Sequence, residues 1–140
     1  MIRYGIFQRL GLAGLVAVLA AAGSCDERAP EGDALAVPSG REVRLIDVIT
    51  YAPGPEGASA RFRFLVPGLT QDDLATALDD MEALCISYAL PRIGGTIPQP
   101  QQIIISFSAE AVTFGEAAPG VVQFFEAYRP DGDTCIWEQF

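Results

Sequence analysis

Alternating apolar and polar positions predict two strands in the first half of the folded region. Ala60–Val66 has an apolar side chain at every second position and an arginine at two of the positions between. This period of two is typical of a half-buried strand. The segment Arg41–Tyr51 is rich in β-branched residues and predicts a strand before it. The short connection at 52–59 contains Pro and Gly, so we expect the two strands to form an antiparallel hairpin.

A helix is predicted after these strands. Thr70 is suited to the N-cap position, and two aspartates follow in the first turn, where they complement the helix dipole. Helical spacing then continues to Ala89, and the helix must end before Pro91. Its apolar stripe is formed by Leu74, Leu78, Met81, Cys85 and Tyr88. Cys85 is therefore predicted to face the sheet.

The C-terminal part of the chain predicts further strands. Ile103–Ser108 is short and strongly apolar, which favours a central strand, and Val112–Phe114 predicts a weaker one. Val121–Tyr128 and Thr134–Phe140 flank the turn residues 130–133 and predict a terminal hairpin. The order of elements predicts an α+β fold, with a small antiparallel β-sheet and one main α-helix packed on one face.

Residues 1–24 are predicted to be a signal peptide. Arg3 and Arg9 give it a positive start, and the uncharged run Leu10–Ala22 follows. The run is shorter than the about 20 apolar residues of a membrane-spanning helix, so we expect cleavage rather than an uncleaved anchor. Residues 25–40 are polar and contain Pro and Gly, and they predict a flexible tether. A single domain is then expected at 41–140, because the length leaves no room for a second.

The end of the signal peptide resembles a bacterial lipobox. Ala22-Gly23-Ser24 precede Cys25, whose thiol would receive the lipid and become the new N-terminus. Ala22 departs from the usual Leu at its position, so ordinary cleavage that releases a soluble periplasmic protein is the alternative. Lipidation of Cys25 would give the multiple acyl chains that stable membrane anchoring requires. The prediction is an exported protein that faces the periplasm and is held at the membrane.

Composition excludes several kinds of chemistry. The chain has no His and its nine basic residues are all Arg, which excludes Ser-His-Asp catalysis, His metal sites and Lys Schiff bases. The net charge is −9, and loss of Arg3 and Arg9 with the signal peptide makes it −11. Such a charge argues against nucleic acid as a partner and against electrostatic adsorption to anionic lipid. No cofactor is predicted.

The cysteine count fits the lipid prediction. An exported protein with three Cys has one left over unless another reaction consumes it. If Cys25 carries lipid, Cys85 and Cys135 remain as a possible pair in an oxidising compartment. Two buried free thiols are the alternative. Neither residue belongs to a CxxC motif, which argues against a redox-active or zinc site.

Several segments together resemble an uncharacterised family of small exported proteins, a domain of unknown function, from alphaproteobacteria of the Rhodobacter group. The resemblance covers nearly all of residues 41–140. It rests on the segments Ala60–Phe64, Asp80–Cys85, Tyr88–Pro91, Phe114–Glu116, Gln123–Tyr128 and Cys135–Glu138. It implies an envelope location, a disulfide between Cys85 and Cys135, and no assigned activity.

Two groups of side chains are candidates for binding. Arg44, Arg61 and Arg63 are predicted on the outer face of neighbouring strands, where guanidinium groups could hold a carboxylate or phosphate. Ion pairing with nearby acids, which would keep the sheet soluble, is the alternative. Phe124 and Phe125 are consecutive and must point to opposite faces of a strand. We expect one of the two to enter the core. The other, if it is exposed, would be an anchor for a binding protein.

The acidic residues give weaker candidates. Asp131-Gly132-Asp133 has the start of a calcium loop, but the remaining ligands of an EF-hand are absent, so a hairpin turn and no metal site are predicted. The acids of the helix, which include Asp79 and Asp80, predict a solvated face rather than a catalytic pair.

Two functions follow. The first is a non-enzymatic, lipid-anchored envelope protein that binds a protein partner. The alternative is a periplasmic module that binds a small ligand or anion through Arg61 and Arg63.

Overall fold

The computed structural model describes residues 32–139. Its strands and its main helix have the bounds β1 Arg44–Ile49, β2 Ser59–Leu65, α1 Leu74–Leu84, β3 Gln102–Ser108, β4 Gln123–Asp131 and β5 Thr134–Glu138. The strands form one sheet in the order β1-β2-β3-β4-β5. The α+β class with one helix on one face of the sheet is confirmed.

Neighbouring strands are antiparallel except at one place. Strands β1 and β2 form the predicted hairpin, and so do β4 and β5. Strands β2 and β3 are parallel, because the helical segment between them returns the chain to the end of the sheet where β2 began. At the β4–β5 turn only Gly132 has a positive φ, +61°, and it occupies the first central position. That arrangement is a type II′ turn, which matches the twist of the flanking strands.

The helical segment, residues 71–92, is longer than α1 itself, and the type of helix changes along it. It begins with a 3₁₀ turn at Gln71–Asp73, continues through α1, and ends in a π-helical turn at Cys85–Ala89 followed by a 3₁₀ turn at Leu90–Arg92. Thr70 precedes the first turn as predicted. Its backbone N–H and its hydroxyl both donate to Asp73 Oδ2 at 2.8 Å. These bonds, with Arg41 nearby, hold the pKa of Asp73 below its usual value.

The core lies between the helical segment and one face of the sheet. Phe62 and Phe64 on β2 point into it, and Tyr88 meets both rings edge-on at centroid distances of 6.2 and 5.8 Å. A disulfide joins Cys85 on the helical segment to Cys135 on β5, with a Cα–Cα distance of 6.3 Å. The helical segment and the C-terminal strand of the sheet are therefore linked covalently.

Part of the segment predicted as a flexible tether packs on the domain. Leu35 and Val37 lie partly buried against the core, and the Leu35 N–H donates to the Val43 carbonyl at 2.8 Å. The packed region thus includes residues 32–40, ahead of the predicted boundary at Arg41. The predicted signal peptide, Cys25 and residues 25–31 lie outside the described residues.

Candidate functional site

The sheet face that is turned away from α1, called here the outer face, carries the predicted arginines. Alternation along β2 sends Phe62 and Phe64 into the core and therefore Arg61 and Arg63 outward. Arg63 is paired with Ser106 of β3, and Ser106 is paired with Phe125 of β4. Three neighbouring strands thus place two cations, a hydroxyl and an aromatic ring on one surface.

The outer face is partly covered by residues 109–122, called here the covering loop. Val112–Phe114 does not form the predicted strand. The Val112 carbonyl instead accepts a hydrogen bond from Arg63 Nη2. The Phe114 ring lies over both guanidinium groups, with its centroid 6.0 Å from Arg61 Cζ and 5.6 Å from Arg63 Cζ. Gly115 follows with φ of +83°, a conformation that glycine adopts at no steric cost.

A cavity of about 130 Å³ lies between the covering loop and the sheet. It is lined by both polar and apolar groups, among them Arg61, Arg63, Ile104, Ser106, Phe114 and Phe125. Typical pockets for whole small molecules enclose roughly 300–1,000 Å³. This outer-face cavity is therefore the size of a functional group or a very small molecule.

Both terminal nitrogens of the Arg63 guanidinium bind other residues of the protein. Its side chain is only 11% exposed, and Nη1 lies 3.2 Å from Asp47 Oδ2. A register shift in β1 between Leu45 and Asp47 brings Asp47 opposite Arg63. With the Val112 carbonyl bonded to Nη2, the Arg63 guanidinium has both a counter-charge and a backbone acceptor. Arg63 thus follows the ion-pairing alternative that the sequence left open.

Arg61 differs from Arg63 at the same cavity. Among residues 32–139, no carboxylate forms an ion pair with it and no acceptor takes a hydrogen bond from its guanidinium. Its Nε atom is fully buried and has no hydrogen-bond partner. A buried donor without an acceptor costs about 1–3 kcal/mol. Such an atom is uncommon in a folded protein and calls for an explanation.

Two of the predicted binding residues, Arg44 and Phe124, do not line the outer-face cavity. Arg44 Nε is 2.6 Å from Glu42 Oε1, and Arg44 Nη1 also donates to the Gly32 carbonyl. Arg44 therefore binds the N-terminal segment and does not line the outer-face cavity. Phe124 is buried in the core. Both residues have structural partners within the described part of the chain.

Phe125 is the outward member of the phenylalanine pair. Its side chain is 51% exposed and forms part of the cavity wall, next to the partly exposed Phe114. Tyr51 extends this aromatic surface, since its ring meets Phe114 edge-on at 6.4 Å. The prediction that Phe124 and Phe125 face opposite sides is confirmed. The covering role of Phe114 was not predicted.

One acid of the helix is not solvated as the sequence predicted. Asp80 is fully buried, and both of its carboxylate oxygens accept hydrogen bonds from Ser39. The helical spacing could have predicted the burial of Asp80, because Asp80 is three residues after buried Ala77 and four before buried Leu84. Asp131 ends β4 and Asp133 is the second central residue of the β4–β5 turn, and no cluster of three or more metal-ligating side chains occurs within residues 32–139.

The described residues thus define a class: a small α+β domain with one covered sheet face and an arginine-bearing cavity on the other. The chain belongs to a family of unknown function, DUF6497, whose model matches residues 15–140. No curated protein and no solved structure matches the chain. Within residues 32–139, no helix is long and apolar enough to cross a bilayer.

Proposed function

We propose that this protein is a non-enzymatic interaction module of the cell envelope, exported and anchored through lipid on Cys25, which binds a protein partner on its outer face. Export is supported by Arg3, Arg9 and the uncharged run Leu10–Ala22. Anchoring is supported by the lipobox-like residues before Cys25. The proposal assigns no catalytic residue, no cofactor and no nucleic-acid partner.

The exposure of Phe125 is the observation that carries the binding proposal. A half-exposed phenylalanine on a paired strand leaves apolar surface in water, and a partner that buried this surface would gain roughly 25 cal/mol per Å². Aromatic side chains beside an arginine and a cavity are typical of binding hot spots. Phe114 and Tyr51 enlarge this surface on the side of β1 and β2.

Chain length limits where the partner can be. The seven residues 25–31 that separate Cys25 from the described domain extend over at most roughly 25 Å. A lipid on Cys25 would therefore keep the domain close to the membrane surface. The partner is expected among proteins of the same membrane or immediately next to it.

Intact mass of the protein from its native membrane fraction tests the anchor. After alkylation with and without reduction, we expect acyl chains on Cys25 and two additional thiols that appear only after reduction. A lipid-free chain that begins before or after Cys25 would contradict anchoring and would leave the soluble periplasmic form. The Cys25→Ala variant is the control, because it cannot receive a thioether-linked lipid.

Photo-crosslinking from single positions tests the docking surface. A photoreactive phenylalanine analogue replaces Phe125 in one variant and Trp137 in the other. Trp137 is the matched control because it is similarly exposed, at 58%, and points to the opposite side of the sheet. We expect one defined crosslinked species from position 125 and none from position 137. The purified partner must then bind the purified protein, and Phe125→Ala must weaken that binding at least about tenfold. Equal crosslinking from both positions would contradict the proposal.

A further inference from the structure

We propose that the outer-face cavity is a carboxylate-binding site in which Arg61 is the charged ligand residue. This inference concerns the same face as the proposed docking surface, but it does not depend on a protein partner. It rests on the charge balance of the two arginines, on the buried Arg61 Nε, and on the size and walls of the cavity.

The charge balance at the cavity is one uncompensated cation. Asp47 neutralises Arg63, whereas no acid within residues 32–139 forms an ion pair with Arg61. Arg61 lacks a counter-charge although acidic residues outnumber basic ones by nine in the protein as a whole. One univalent anion would complete the site, and a carboxylate carries that charge at neutral pH.

The buried Nε of Arg61 belongs to an edge of the guanidinium group that can bind a carboxylate. Nε–H and the neighbouring Nη–H form one edge of the guanidinium fork, and a carboxylate can accept from both together. Arg63 uses Nη1 and Nη2 for Asp47 and Val112, but the Nε edge of Arg61 has no acceptor. The Phe114 ring, whose centroid is 6.0 Å from Arg61 Cζ, belongs to a loop rather than to a strand. Because Nε is buried, binding of a carboxylate requires a side-chain movement at the cavity, with Phe114 as the candidate.

The cavity favours a carboxylate over phosphate. Its walls include Ile104, Phe114 and Phe125, which suit an apolar group attached to the charge. A divalent anion would need a second free cation, and Arg63 is already paired. Its volume of about 130 Å³ accommodates the charged end of a ligand while the remainder extends over the half-exposed Phe125.

Glu116 places a negative charge at the rim of the cavity. It lines the cavity and is exposed, and it does not pair with Arg61. Its charge opposes entry of an anion. Replacing Glu116 by Gln should therefore strengthen ligand binding about two- to fivefold.

Titration of the full-length protein in detergent with phenylacetate, acetate and inorganic phosphate tests the proposal. The readout is the NMR signal of the arginine Nε–Hε groups at constant ionic strength. We expect the Arg61 signal to shift saturably, with phenylacetate bound more tightly than acetate and phosphate not bound. Absence of saturable binding of both carboxylates, or tighter binding of phosphate, would overturn the inference.

Variants assign the effect to Arg61. Arg61→Gln should weaken phenylacetate binding at least about tenfold, and Arg61→Lys should restore it only in part, because Lys lacks the planar fork. Arg129→Gln is the matched control: Arg129 lies on the same face but is paired with Glu138 at 3.5 Å, outside this cavity. Thermal melting verifies that each variant is folded. Equal loss of binding in Arg61→Gln and Arg129→Gln would overturn the site.

Competition identifies the source of the carboxylate. If saturating acetate, which is too small to extend over Phe125, suppresses the crosslink from position 125, the natural carboxylate belongs to the protein partner, at a side chain or a C-terminus. If the crosslink persists while acetate binds, the site takes a free small acid and the partner docks independently. Failure of docking with retained phenylacetate binding would contradict the proposed function alone.

Discussion

Ser39 and Asp80 are 41 positions apart in the chain and are joined by two hydrogen bonds. The Ser39 N–H donates to Asp80 Oδ1 at 2.9 Å, and the Ser39 hydroxyl donates to Oδ2 at 2.5 Å. Asp80 is fully buried on α1, so Ser39 supplies acceptor oxygens with the donors that water would otherwise provide. This pair holds the N-terminal segment of the domain on the helix.

We expect Asp80→Asn to lower the free energy of unfolding by about 1–2 kcal/mol, because the charge-assisted hydrogen bonds that Ser39 donates to the carboxylate become weaker neutral ones. Asp79→Asn is the matched control, since Asp79 is the exposed neighbour on α1 and should change stability by less than about 0.5 kcal/mol. Urea unfolding measures both. A double-mutant cycle with Ser39→Ala should show coupling of about 1 kcal/mol or more. Additive effects would contradict a direct interaction.

Removal of the disulfide should destabilise the fold strongly. Cys85 and Cys135 are separated by 50 positions, so the bond restricts a large part of the unfolded chain. The chain-entropy model gives about 4 kcal/mol for a loop of this length. We expect the Cys85→Ser/Cys135→Ser variant to lose an amount of this order in urea unfolding. Reductant should bring the parent protein to the same stability and leave the variant unchanged. Insensitivity of the parent to reductant would contradict this account.

Arg63 should control how firmly the covering loop is held. Arg63→Gln removes the donor to the Val112 carbonyl as well as the charge partner of Asp47. We expect faster amide hydrogen exchange in residues 109–122 and a loss of about 1–3 kcal/mol. Asp47→Asn is the control that breaks only the ion pair. Asp47 is 42% exposed, so that change should cost at most about 1 kcal/mol and leave loop exchange nearly unchanged. Equal exchange in both variants would contradict the assignment.

Stability should fall at alkaline pH because of Tyr128. Burial raises the pKa of Tyr128 above its usual value, and the charges of Glu126 and Glu82 raise it further. An unfolded tyrosine titrates near pH ~10, so the unfolded chain releases this proton first. Stability is therefore complete below about pH 10 and decreases as pH rises above it.

Comparison of Tyr128→Phe with the exposed Tyr51→Phe checks this pH dependence. Melting temperatures are measured between about pH 8 and 11. Tyr128→Phe should flatten the alkaline decrease in melting temperature, and at about pH 8 it should change the free energy of unfolding by no more than roughly 1 kcal/mol. If the melting temperature fell equally steeply with pH in the parent and in Tyr128→Phe, a group other than Tyr128 would be responsible for the alkaline loss of stability.

Local sequence patterns predicted most of the strands and the helix, but they did not predict which distant residues these elements contact. The alternation in β2 assigned Phe62 and Phe64 to the core and Arg61 and Arg63 to the opposite face, because side chains of a strand alternate by geometry. Val112–Phe114 has strand-like composition, yet it forms a loop because Arg63 and the open sheet face offer it contacts from distant residues. Such contacts leave no periodic signal in the sequence.

The sequence by itself determined the α+β class, the two hairpins, the start of the helix and the direction of the arginines, since each depends on neighbouring residues and a fixed period. Only the tertiary structure decided that β2 and β3 are parallel and that Asp80 is buried against Ser39. It also decided that Arg63 is neutralised while Arg61 is not. These outcomes depend on which distant groups come into contact across the sheet. Whether a charge is compensated is therefore decided by its neighbours in the fold and not by its residue type.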